Sequence, residues 1–188
     1  MNSRDIDPGP LAEASCHTSG NQATLVLVRN IQYRRAVVWA ALTDPTQLRQ
    51  WAPFSADRNL ATARSAVLRA ADDIHAQDLP ANVVAAIPPK RLEYTWGSDL
   101  LAWQLATLAT GTQVTLHHTV ENAEWLPSIA AGWHLCLAAA DRLLDGRPIG
   151  PIIGQKSKPF GWKRLHDAYA ATLGIPGTQW PDDLFPGA

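Results

Sequence analysis

Cysteine is scarce in this chain: the 188 residues hold two, Cys16 and Cys136, too few and too far apart for a disulfide framework. That usage suits a reducing compartment. Charge is scarce as well, at 18% of residues with a formal net charge of -1. Binding nucleic acid needs a basic face, and this balance supplies none. No apolar run is long and unbroken enough to cross a bilayer. The opening MNSRDIDPGPLAEASCHTSG lacks the apolar stretch of a secretory signal, so a cytoplasmic location without membrane insertion is expected. Also missing are a nucleophile elbow, a phosphate-binding loop, a dinucleotide fingerprint and any cysteine pair with metal or redox spacing. No cofactor is therefore expected and no catalytic residue is assigned. His117 and His118 are adjacent and, on a strand, point to opposite faces, so they do not converge on a metal; no metal site is expected.

What the chain does have is apolar mass. Hydrophobic residues make up 46%, with eight tryptophans, in a length that suits one domain with a sizeable core. The most apolar stretch is Pro127–Leu144. On a helical wheel Ile129, Gly132, Trp133, Cys136, Leu137, Ala140, Leu143 and Leu144 form one broad stripe. Pro127 suits the first turn of that helix and Gly146 its end. The opposite side carries Ala131, Leu135 and Ala138, which raises the question of what covers the back of the helix.

Along the chain, residues 1–21 mix Asp, Pro, Gly, Ser and Thr without period and read as a disordered tail. Ala23–Tyr33 is β-branched, a first strand. Arg35–Leu42 has helical spacing, and Thr43-Asp44-Pro45 starts a second short helix, capped by Asp44. Residues 63–70, 72–79, 82–87, 91–96, 100–108 and 113–120 then read as six consecutive strands, with a turn at Ala71-Asp72, a break at Pro88-Pro89 and a hairpin at Thr110-Gly111. Beyond the long helix, residues 147–159 are rich in Pro and Gly and read as extended. A terminal helix is expected at about 160–173, with tail-like residues after it. The domain proper is then 22–146, and 147–188 is a C-terminal extension whose helix packs back on the domain.

Strand, two short helices, an antiparallel meander and a long helix make an α+β helix-grip arrangement: a curved antiparallel sheet of about seven strands around one helix. At this point the motifs become specific. Ala36–Phe54 (AVVWAALTDPTQLRQWAPF), Leu92–Trp96 (LEYTW), the strand Gly111–His118 and Gly132–Leu137 (GWHLCL) follow one another in the order found in the SRPBCC/START-like superfamily. They resemble the stand-alone bacterial members of its branch similar to the C-terminal domain of the activator of Hsp90 ATPase (AHSA1-like). The similarity runs over about residues 23–145, and Gly161–Gly174 resembles tails on bacterial members. The resemblance implies a cavity between sheet and helix. In co-chaperones of this kind the domain follows a second, N-terminal one; here about twenty tail-like residues stand in that place.

Strand alternation assigns residues to that cavity. Tyr94 and Trp96, Trp103 and Leu105, and Leu116 and His118 face inward from three strands, and Trp133 and Leu137 face them from the helix. Plain core packing is the competing reading, strongest for Trp39, Trp51 and Leu137. Tyr94, Trp103 and His118 stand out because each brings a polar atom into an apolar face. The leading expectation is a domain that binds a small hydrophobic molecule. The alternatives are an interaction or regulatory module, such as a homodimer joined through the back of the helix, and a cyclase- or hydrolase-type enzyme using His118 and Tyr94 with a carboxylate such as Asp78 or Glu93.

Overall fold

The structure is a computed structural model and describes residues 7–71 and 77–176. Its frame is one antiparallel sheet of eight strands: β1 (Glu13–Ser19), β2 (Gln22–Ile31), β3 (Phe54–Ala56), β4 (Ser65–Ala70), β5 (Asp78–Ile87), β6 (Arg91–Trp96), β7 (Asp99–Leu108) and β8 (Gly111–Val120). They lie in the order β1-β2-β8-β7-β6-β5-β4-β3, so the second and last strands are neighbours and the meander runs back from them. Among the described residues four α-helices complete the fold: α1 (Arg35–Thr43), α2 (Pro45–Leu48), α3 (Leu126–Leu144) and α4 (Trp162–Leu173). This is the helix-grip architecture expected, with α3 as the gripped helix.

The local chemistry explains several boundaries. Asp44 accepts a hydrogen bond from the Thr46 backbone N–H at 2.7 Å, which caps α2, and Pro45 opens the helix where its missing N–H costs nothing. Gly146, at φ +72°, closes α3: its own N–H reaches the Leu143 carbonyl and the Arg147 N–H reaches the Arg142 carbonyl. Gly111 begins β8 at φ +113°, and a Cβ there would lie 2.3 Å from the Ile31 carbonyl oxygen, so only glycine fits.

Three sequence expectations need correction. Residues 13–19 are not tail; they form β1, in full antiparallel register with β2 from Glu13↔Val28 to Ser19↔Gln22. Polar composition hid this edge strand, because an edge buries little. Residues 78–87 form one strand rather than parts of two. Pro80 lies inside it, opposite Val67, whose backbone N–H and C=O are both used on the β3 side. Pro80 therefore occupies a site where β4 asks for no N–H. The expected turn residue Asp72 lies outside the described residues, as does the sequence after Pro176. Finally, Gly154–Phe160 form a 3-10 helix that replaces the end of the segment read as extended and the first residue expected in the terminal helix.

The concave face of the sheet is filled by rings. Trp103 and Trp133 meet edge to face at 5.2 Å, Trp51 meets Trp103 at 6.3 Å, and Phe54 contacts Tyr94 at 6.0 Å and Trp96 at 5.0 Å. Such pairs each add roughly 0.5–1.5 kcal/mol beyond the area they bury. On the opposite side of α3, Ala131, Leu135 and Ala138 are all buried. There α4 and the arm before β1 lie over the helix. His134 Nε2–H donates to the Pro8 carbonyl at 3.0 Å, and the Tyr169 hydroxyl donates to His134 Nδ1 at 2.8 Å while accepting from the Ala12 N–H at 3.1 Å. Arg29 of β2 bridges to Asp141 of α3 at 2.7 Å and fastens the same corner.

A candidate ligand cleft beside the long helix

One flank of the first half of α3 is left partly open beside the sheet. Ser128, Ile129, Gly132, Trp133 and Cys136 recur there at helical spacing and border a cleft of about 280 Å³. The strand ends contribute Trp96 of β6 and His118 of β8, and Pro53 adds the loop before β3. Trp125 stands at the N-terminal end of α3, where Asn122 caps a preceding 3-10 turn by accepting from the Glu124 N–H at 2.9 Å. The far wall comes from the C-terminal extension: Ile152, Ile153, Gly154, Ser157 and Trp162. No charged side chain lines the cleft among the described residues.

Gly132 is central to this space. A glycine at such a place can serve to let a helix approach the sheet, but a Cβ here would meet no atom within 4 Å outside its own helix. The vacancy borders the cleft.

The polar groups in the wall are largely committed. Trp133 Nε1–H donates to His118 Nδ1 at 2.9 Å, and an indole nitrogen can only donate. Nδ1 is thus the acceptor, the proton sits on Nε2, and it is given to Asp99 Oδ2 at 2.9 Å. The ring is neutral, with both nitrogens occupied. It has no lone pair left for a substrate's proton, and its evident work is to hold the Trp133 ring in place. Cys136 is buried, and burial pushes its thiol up to about 12, so it stays protonated and unreactive. Ser157 Oγ–H is turned to the Gly154 carbonyl at 2.6 Å. The exception is Trp96 Nε1, a buried donor without a protein partner.

Of the residues expected to form a cavity, the structure brings Trp96, His118 and Trp133 to the cleft. Tyr94, Trp103 and Leu116 lie deeper, each at most 1% exposed; Trp103 Nε1–H donates to the Tyr94 hydroxyl at 3.0 Å, so two of the conspicuous polar atoms satisfy each other. Burial raises the Tyr94 pKa, which keeps the phenol neutral. Leu105 is buried in the core, and Leu137 borders only a gap of about 10 Å³ beneath α1. Tyr94 and His118 therefore do not meet at one open surface. Asp78 and Glu93 are paired with Arg69 and Arg91, away from the cleft. Missed from sequence were Asp99 and the whole far wall. The extension did carry a signal, the Ile152-Ile153 pair among prolines and glycines.

No helix among the described residues is long and apolar enough to cross a membrane. Residues 32–145 match the model of the family described as activator of Hsp90 ATPase homolog 1-like protein. No curated protein matches the chain. Among solved structures, a conserved protein of unknown function from Enterococcus faecalis is 14% identical with a TM-score of 0.66, covering 85% of this chain and 90% of its own. CalU16 from Micromonospora echinospora is 16% identical with a TM-score of 0.62, over 85% of this chain and 95% of that one. A protein from Staphylococcus saprophyticus is 19% identical with a TM-score of 0.60, over 69% and 99% respectively. At these identities the likeness is one of fold.

Proposed function

Because the chain belongs to the activator of Hsp90 ATPase homologue 1-like family, whose fold is not tied to one activity, we propose from its own residues that it binds a small, uncharged hydrophobic molecule beside α3. One observation carries this reading: a cleft of about 280 Å³ walled mostly by tryptophan, isoleucine and glycine, with Ser128, Ser157 and His118 as its few polar side chains and no charged Asp, Glu, Lys or Arg among the described residues. That volume lies near the lower end of the range for small-molecule sites, about 300–1,000 Å³. A charged ligand would lose its hydration there and gain no counter-charge, which is costly in an apolar setting. The two free cysteines, Cys16 and Cys136, support action in a reducing compartment such as the cytoplasm.

The homodimer reading rested on an uncovered back of α3, and that back is covered within the chain by α4 and the arm before β1. No reaction is proposed, since His118 has no free nitrogen and Tyr94 is out of reach of the cleft.

Native mass spectrometry of protein purified from its own host tests the proposal. The expected result is a non-covalent adduct of a neutral compound on the wild-type chain that is absent from Gly132→Phe, where the new ring fills the cleft. An adduct retained equally by both proteins would place the ligand elsewhere.

A further inference from the structure

The family match ends at residue 145, while Ile152, Ile153, Gly154, Ser157 and Trp162 form one wall of the cleft. We infer that this C-terminal wall, rather than the family domain, determines which molecules the cleft accepts, and that it selects by ring bulk among uncharged compounds. The inference rests on the ligand-binding reading given above.

The two walls differ in their freedom to vary. On the family side, Trp133 is bound to His118 and packs against Trp51, Trp103 and Phe54 at 5.2–6.5 Å. Any change there disturbs the centre of the core. Trp96 likewise packs on Phe54 at 5.0 Å. On the C-terminal side, Ile153 is half-buried and lies outside the sheet and the four helices. It packs at the edge of the core, and its replacement alters the cleft while leaving the Trp133–His118 pair and the rings around it in place.

The C-terminal wall is nevertheless held in place. Gly146 and Arg147 tie its start to the last turn of α3. Ile152 is 3% exposed, and within the 3-10 turn the Ser157 hydroxyl donates to the Gly154 carbonyl. The Trp162 ring stacks on His166 at 5.1 Å and 20°, and α4 behind it is anchored through Leu165 and Tyr169. A wall that is fixed in position yet outside the core's hydrogen-bond chain is suited to setting specificity. With Ile152, Ile153 and Trp162 across from Trp133 and Ile129, what it measures is the bulk of an apolar ring system.

Two neutral fluorescent probes of different bulk provide the test: N-phenyl-1-naphthylamine and the larger fused-ring dye Nile red. Affinities for both are measured with the wild-type chain, Ile153→Ala, Trp162→Phe and, as the family-side control, Ile129→Ala, with thermal melts to establish that each variant is folded. The wild-type cleft is expected to favour the smaller probe. Ile153→Ala is expected to move the affinity ratio toward Nile red by about tenfold, the lower end of the discrimination that one methylene gives in an apolar pocket. Trp162→Phe moves the ratio the same way, and Ile129→Ala weakens both probes with the ratio unchanged. The inference is overturned if the wild-type chain binds the probes and both C-terminal variants keep its ratio, or if Ile129→Ala shifts the ratio as far as they do. If the wild-type chain binds neither probe, the ligand-binding reading fails, and this inference with it.

Discussion

Gly132 sits near the middle of a 19-residue helix, a position where glycine costs about 0.5–1 kcal/mol relative to alanine. No turn, positive φ or close neighbour requires it, since a Cβ there meets nothing within 4 Å. Open space in the cleft is what the glycine preserves. Gly132→Ala is therefore expected to raise stability by roughly 0.5–1 kcal/mol, measured by urea denaturation, with a small loss of ligand affinity. A destabilised alanine variant would show that the glycine serves packing. His134 illustrates a different residue-scale effect. It is fully buried beneath Pro8 and Tyr169, and burial, with Arg29 and then Arg164 as lesser contributors against Asp7 and the Pro8 bond, lowers its pKa to about 4. The folded state thus binds this proton less readily than the unfolded chain, whose histidine titrates near 6.5. Its contribution is complete above about pH 6.5 and is lost as pH falls toward about 4, on the order of 3 kcal/mol in total. Thermal melts across that window should show His134→Gln falling less steeply with acid than the wild type. Parallel slopes would remove His134 as the cause. The inward direction of His118 was legible from strand alternation, but its partner Asp99 was not. Their pairing depends on the register Leu101↔His118, which brings together residues far apart in sequence.

At the scale of elements, the signals that were read correctly were periodic or chemical. The α3 stripe, the Asp44-Pro45 start of α2 and the alternation along β6, β7 and β8 each follow from local rules. The misread elements owe their form to partners. β1 is a strand because β2 offers it an edge, and Pro80 is tolerated because Val67 opposite it bonds to the other side. The C-terminal extension was recognised as a helix after a Pro/Gly-rich segment, yet nothing local says that its apolar residues face a cleft. Its removal should be informative. A chain ending at Gly146 loses the α4 cover over Ala131, Leu135 and Ala138, and exposed apolar surface of that kind drives association. Light scattering is expected to show the shortened chain self-associating at concentrations where the full chain does not. A shortened chain that stays monomeric and binds ligand normally would argue that α4 and the far wall are dispensable.

At the scale of the whole molecule, sheet and helix meet through a ring-filled core, and the open space has moved to one flank of α3. A sequence reading that treated every inward-facing residue as a cavity residue could not separate these layers. Depth depends on how far the sheet curves around the helix, and alternation reports side alone. Trp96, His118 and Trp133 reach the cleft because they lie at its floor, whereas Trp103, Tyr94 and Leu116 are a layer below. On the proposed function, the flank cleft holds an uncharged apolar molecule. The most direct measurement is a fluorescence titration of the wild-type chain and Gly132→Phe with N-phenyl-1-naphthylamine and with 8-anilinonaphthalene-1-sulfonate, which adds a negative charge to the same ring framework. Saturable one-to-one binding of the neutral probe by the wild type is expected, with much weaker binding of the sulfonate and loss of neutral-probe binding in a folded Gly132→Phe. Equal binding of both probes, or neutral-probe binding undiminished in Gly132→Phe, would contradict the proposed function.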